Sequence, residues 1–447
     1  MIPDIGKQLL ENSIHDANQN EKKRWQRERL LAYNYYKGRT NDYTAKFFSD
    51  ELIRKIPIAN VNLTKRIIDR VSMVYMKPPK RTYSNENFME MIHYGKDEKL
   101  QKAERLTNLL ELILIKPCWR NGQVEYDLIR DFEPHFFNGD NLHPDAFTYP
   151  IAIRSEVLST EPEKFVYWDA ENTFTYDKNG KIYTTDDNPD MINPYGMLPF
   201  VECFKDGRPD WAYLDTDASV DLVATNKAVN IAETNKNANI MFQSFGYMYI
   251  NGSSVDYDKL EVGQDKISQL GVDGTLNIVS PPNSVPALTE SIKESYKMLA
   301  QNYHLSVNFV EGTTAESGVA LKLRNQELSD ARISDVVRWK VIEQKLFTIE
   351  ERIVTVETGM ANTGTLDDID FDESTEVLNP QEQIDRWNWE LEKGIIDVAD
   401  ILMQKNPDLT REEALDHIFE RQQEELETQQ ETAPQNTLLE ALATPTE

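Results

Sequence analysis

Residues 312–330 read GTTAESGVALKLRNQELSD, a pair of glycines around a Thr/Ser-rich turn with Lys322 and Arg324 just beyond. A glycine-rich turn followed by a lysine is one way a chain cradles phosphate, with backbone N–H groups and an ammonium converging on the oxygens. The spacing here does not make that loop. A P-loop lysine directly follows its last glycine and precedes a Ser or Thr that holds magnesium. Gly318 is followed by Val319, Lys322 comes four positions later, and Leu323 follows it.

Other groups capable of chemistry are present but scattered. His93, His135 and His143 lie among charged or aromatic residues, and no HExxH or His/Cys cluster surrounds them, so they read as ordinary histidines. The run DDIDFDE at 367–373 lacks the central glycine and terminal Glu of a calcium loop and reads as an acidic exposed strand. Cys118 and Cys203 form no CxxC pair; both are expected to be small buried hydrophobes. With no GxSxG, no GxGxxG and no catalytic cysteine context, the expectation is a protein that is not an enzyme and takes no metal or cofactor.

Charge is more informative. The 447 residues carry a net charge of -28. Residues 1–81 hold 17 Lys/Arg against 9 Asp/Glu, whereas residues 367–447 hold 5 against 23. One end is basic and the other acidic. The total argues against a protein that coats DNA through counterion release, but not against one that must let DNA pass. Hydrophobic residues make up 40%, enough for a sizeable core. No run approaches the ~20 apolar residues of a membrane span, and MIPDIGKQLLENSIHD has no secretory pattern. A cytosolic site of synthesis and no membrane partner are expected.

The elements that must carry these residues can be sketched from periodicity. Residues 5–37 have helical spacing, with Gly38 as C-cap. In IANVNLTKRIIDRVSMVYMKPP, Asn62 or Thr64 caps a helix that Pro78 and Pro79 stop. FMEMI and LTNLLELILI, within 86–116, suggest two more helices. Short apolar and aromatic runs from 117 to 203 indicate an antiparallel sheet, with a turn at Asn179-Gly180. Residues 212–245 have neither Gly nor Pro and predict a long helix of about 50 Å. Its second half is rich in Ala and Asn, which is consistent either with a solvated helix or with one packed against copies of itself, its neutral amides facing a wet lumen. A small β excursion follows at 246–287, then a helix at 288–306, then a third helix at 327–358 with an apolar stripe from Leu328 to Val354, ending at Gly359. The acidic end, 380–428, is helical and includes a Thr410/Glu413 capping box; 429–447 is expected to be disordered. The fold class is α+β.

The order of these elements resembles the portal proteins of tailed bacteriophages over nearly the whole chain. The residues that carry the resemblance are NVNLTKRIIDRVSMVYMKPP, GMLPF at 196–200, Ser317-Gly318-Val319-Ala320-Leu321-Lys322, and IDF at 369–371 before NPQEQID. The resemblance implies a wing at 1–211, a stem helix at 212–245, a clip at 246–287 and a second stem helix at 288–306. A tunnel-loop region at 307–326, a return to the wing at 327–379, a short helical crown at 380–428 and a tail at 429–447 complete it. It implies a ring, of twelve subunits in that family, at one capsid vertex, through which double-stranded DNA is packaged and ejected. Implied partners are the large terminase subunit at the clip, the major capsid or scaffold protein, and an adaptor or tail protein. The implied location is the virion, reached from the host cytoplasm.

Under the resemblance, Gly312, Ser317 and Gly318 become hinge or tunnel-loop residues. Lys322, Arg324 and Asn325 become candidates for transient contact with DNA, against the alternative that Lys322 and Arg324 merely open an amphipathic helix. Asn230, Asn235, Lys236 and Asn239 become channel-lining candidates, and the basic N-terminal region is expected to face a neighbouring subunit or capsid protein. The competing reading is an acidic phage adaptor or scaffold protein without a DNA channel. Departures from larger portals are a short crown and no long C-terminal barrel segment.

Overall fold

The structure, a computed structural model, describes residues 19–151, 164–184, 188–216, 218–243, 247–251, 273, 275–279, 284–305, 318–360, 363–371, 380–406 and 409–431. The fold is mixed α+β, as the sequence leads one to expect. The chain divides into two units, residues 1–314 with 324–374, and residues 315–323 with 375–447.

In the first unit, α1 (Gln19–Tyr36) ends at Gly38, whose φ of 71° is the left-handed conformation that a helix C-cap requires. Two short helices, α2 (Asn41–Ala45) and α3 (Asp50–Lys55), lead to α4 (Leu63–Val71). Asn62 caps α4 by accepting from the Lys65 N–H at 3.0 Å. A 3-10 turn at Val74–Met76 leads into strand β1 (Lys80–Tyr83), followed by α5 (Glu86–Glu90) and α6 (Lys96–Leu110).

The reading of LTNLLELILI as one helix is corrected here. The helix stops at Glu111, which turns left-handed at φ 62°, and Leu112–Arg120 become strand β2. Leu112, Ile113, Leu114 and Ile115 are all fully buried, so the run is apolar on both sides of a central strand and shows no period-2 alternation. β2 pairs antiparallel with β3 (Gln123–Ile129) and β9 (Val201–Phe204), giving the order β3-β2-β9. Strands β4 (Glu133–His135), β5 (Ala146–Pro150), β6 (Lys164–Trp168), β7 (Thr173–Asp177) and β8 (Ile182–Tyr183) form a meander in sequence order. Its last turn holds Gly180 at φ 79° and the Asp177 carboxylate accepting from the N–H groups of Asn179 and Lys181.

Helix α7 (Val220–Gln243) packs against α8 (Val285–Asn302), and between them in sequence β10 (Tyr247–Asn251) pairs antiparallel with β11 (Thr275–Val279). Helix α9 (Gly318–Thr358) runs 41 residues to Gly359 (φ 72°). Strand β12 (Leu366–Asp370) then pairs with β1. The α9 stripe splits in two. Trp339, Ile342, Leu346, Ile349 and Ile353 enter the core, whereas Ile333, Val337 and Val341 are exposed. Four-residue steps had merged two faces that 3.6 residues per turn keep apart.

The second unit contains α10 (Pro380–Glu392), α11 (Val398–Lys405) and α12 (Arg411–Glu431). Thr410 and Glu413 make the expected reciprocal cap, at 2.9 and 3.4 Å, and Asp397 with Asp400 makes another that the sequence reading did not identify. Helix α12 continues to Glu431, three residues into the tail expected to be disordered; the rest of that tail, and the N-terminal positions before 19, lie outside the described residues.

Candidate functional site

Of the six loop residues singled out by sequence, Gly312 and Ser317 lie outside the described residues. Gly318, Lys322, Arg324 and Asn325 are helical, because α9 begins at 318 and not at 327. The physical reason is composition: VALKLRNQEL is free of Gly and Pro and rich in good helix formers. Lys322 and Arg324 therefore sit on the opening turns of a helix.

The four α7 candidates part ways. Asn235 is exposed, while Asn239 and Lys236 are half-buried and Lys236 pairs with Glu233 at 2.5 Å. Asn230 is a correction: it is 0 % exposed and faces the segment 59–64 of the same chain. Its Oδ1 accepts from the Val61 N–H at 2.8 Å. Asn226, one turn earlier, accepts from the Thr64 N–H at 3.0 Å and hydroxyl at 2.9 Å and donates to the Val61 carbonyl at 2.7 Å. Thr234, one turn later, accepts from the Ala59 N–H at 3.0 Å. Three side chains at i, i+4 and i+8 thus satisfy the backbone of 59–64, which has no sheet partner there. The asparagines are polar because they replace a missing strand, and the i, i+4, i+8 spacing was the signal that could have shown it.

At the foot of α7 and α8, beside Tyr303 and His304, lies a cleft of about 410 Å³. Its wall mixes both charge signs. Lys205 pairs with Glu111 at 3.6 Å, Arg338 with Asp335 at 3.1 Å, and the Tyr303 hydroxyl donates to Asp221 at 2.9 Å. Burial pushes the Asp335 carboxyl above its ordinary value despite Arg338. Nearby, His304 holds a left-handed φ of 53° where the helix ends.

Behind this wall, α9 is tied to the sheet by a buried ionic ladder. Glu343 receives the Arg81 guanidinium at both oxygens, each at 2.7 Å, and the Tyr75 hydroxyl at 2.8 Å. Two turns on, Glu350 accepts from Lys96 at 2.8 Å and the Tyr126 hydroxyl at 2.6 Å. Arg81 also reaches Asp97 at 2.7 Å. Desolvation would raise the Glu343 carboxyl, but Lys96 and Arg81 overrule it and hold it low; burial would lower Lys96, but Glu350 and Glu343 raise it. Both groups are therefore held charged. Every oxygen has a donor, which is the mark of a structural brace rather than a reacting site. The sequence signal was faint: Glu343 and Glu350, seven apart, share a helix face with Trp339, Leu346 and Ile353.

Two further groups bear on chemistry. Burial pushes the Cys118 thiol up to about 12, the opposite of what a thiolate nucleophile needs. Burial drives His135 down to about 4, and its Nε2 lies 2.8 Å from the Thr148 hydroxyl. Among the described residues no group of three His, Cys, Asp or Glu is placed to hold a metal ion, and no helix is long and apolar enough to cross a membrane. The chain matches no family model, and no curated protein is similar to it.

Proposed function

We propose that this chain is a portal-type subunit: copies close into a ring, and double-stranded DNA enters and leaves a capsid through the hole. The observation that carries the reading is the α7–β10/β11–α8 excursion, two packed helices of 24 and 18 residues with a two-stranded sheet between them in sequence. It rises from an α+β body to which α7 is fixed by Asn226, Asn230 and Thr234. Such an excursion gives a subunit a stem and a tip. The tip serves as the docking point for a terminase, the body as the point held by capsid or scaffold protein and by head-completion or tail proteins.

The mixed-charge cleft lined by Tyr303 and His304 suits a wall that polyanion must pass. Each phosphate neutralised by a free cation adds a salt-sensitive sticking term, and the two cations described there as ion pairs, Lys205 and Arg338, already face carboxylates. Lys322 and Arg324, on the opening turns of α9, are the candidates for brief phosphate contact.

Native mass measurement with end-on negative-stain images tests the reading. A closed ring of about a dozen subunits with a central hole is expected of a cyclic homo-oligomer. A monomer or dimer that stays so in the presence of its scaffold protein would overturn it in favour of an adaptor.

A further inference from the structure

The exposed Lys37, Lys46 and Lys65 and the half-buried Lys227 each lie over an aromatic ring. The Lys37 ammonium lies 5.6 Å from the Tyr33 ring and 6.0 Å from Tyr36, Lys46 lies 5.7 Å from Tyr43, Lys65 lies 5.2 Å from Tyr36, and Lys227 lies 4.7 Å from Phe47. These residues form one face. Helix α1 packs on α4 and α7, α2 packs on α7, and Asn60 donates to the Gly38 carbonyl at 2.7 Å across the gap. Stacking on a ring positions a cation without neutralising it. Lys65 has Asp69 beside it, but among the described residues Lys37, Arg39 and Lys46 have no carboxylate within ion-pair distance. Phe47 adds an apolar centre, 55 % exposed.

The same unit presents the opposite surface. Among the described residues strand β12 pairs with β1 alone, and Asp368 and Asp370, two apart and so on one face of the strand, are exposed. Neither has a cation within ion-pair distance among the described residues, although Lys80 stands opposite Asp370 on β1.

We infer that the cation–aromatic face around Lys37, Lys46 and Phe47 is an interface for a second copy of this chain, and that it receives the Asp368/Asp370 strand of that copy. The contact is heterologous, so it propagates from copy to copy, and it closes as a ring when the rotation per copy divides the circle. Opposite charge brings the copies together in register, and an aromatic centre with a charged rim is the composition of a protein interface. An acidic chain whose copies otherwise repel needs such a contact. The inference rests on the ring reading for the closure of the assembly, but not for the pairing of the two surfaces.

Charge exchange tests it. Lys37→Glu with Lys46→Glu, and separately Asp368→Lys with Asp370→Lys, are each expected to lower the association constant at least about tenfold by like-charge contact, with unchanged circular dichroism. The four changes combined in one chain, or the two variants mixed, should restore assembly, because reversed faces again meet as opposites. Native mass and sedimentation read the result. Association of the wild type and variants to the same extent, or loss without rescue in the combined chain, overturns the inference while leaving a ring intact as a reading. Rescue in a wild type that forms only dimers supports the pairing and sinks the ring. If the Lys37/Lys46 change abolishes retention on duplex DNA and leaves assembly untouched, the face serves nucleic acid and the inference is wrong.

Discussion

The two units hold themselves together by opposite means. The body around α9 buries its charges: Arg81, Lys96, Glu343 and Glu350 are all at or below 9 % side-chain exposure and pair with one another under a large apolar core. In the C-terminal unit, Ala399 and Ala414 are the buried apolar residues among those described, while Trp389, Ile395, Leu415 and Phe419 are exposed. Its helices are secured by capping boxes and by Arg411, which reaches Asp397 at 2.7 Å and Asp400 at 3.1 Å in the open. The same residue types thus do different work. In the body a lost partner strands a charge away from water, whereas in the C-terminal unit water replaces the partner at once.

That contrast breaks most sharply at Lys96. Lys96→Met leaves Glu350 and Glu343 facing a lost cation, and is expected to destabilise the body by about 3–5 kcal/mol in urea unfolding. Adding Glu350→Leu removes the orphaned charge and should recover a large part of the loss. A single variant with wild-type stability would show the ladder to be ornamental.

Glu104 sharpens the comparison through pH. It is buried and accepts from the Val74 and Tyr75 N–H groups at 2.8 and 3.1 Å, and burial pushes its carboxyl up to about 7 from an ordinary value of 4.5. The folded protein therefore binds this proton more tightly than the unfolded chain. Stability from this group is present below the unfolded value and falls as pH rises through about 7, by roughly 3 kcal/mol at most. Glu104→Gln should flatten that slope in thermal melts between pH 4.5 and 7; an unchanged slope would assign the dependence elsewhere.

The smallest effect belongs to the exposed pairs. Arg411→Ala is expected to move the global melting temperature by less than about 1 °C while speeding amide exchange between 397 and 411. A melting shift as large as that of Lys96→Met would erase the distinction between the units.

Several elements were legible in the sequence because they depend on neighbours a few residues away. Asn62 capping α4, the turn at Gly180, Gly38 and Gly359 past helix ends, and the Thr410/Glu413 box each follow from local backbone chemistry. The start of α9 was read nine residues late because a glycine-bearing loop was allowed to extend over good helix formers.

What the sequence by itself determined, then, is the kind of most elements, with β2 and the start of α9 the exceptions, the α+β class and the unequal spread of charge, all set by period, propensity and composition. What only the tertiary structure decided is the direction in which polar side chains face. Asn230 looked like a channel amide and serves the backbone of Val61. Glu343 sits on a helix with an apolar stripe and is the buried partner of Arg81. Lys37 and Lys46 looked like part of a general basic excess and lie over aromatic rings. A polar residue on a helix fits water, a lumen or a buried partner equally well until a distant segment arrives beside it, and that arrival is set by long-range packing and not by spacing.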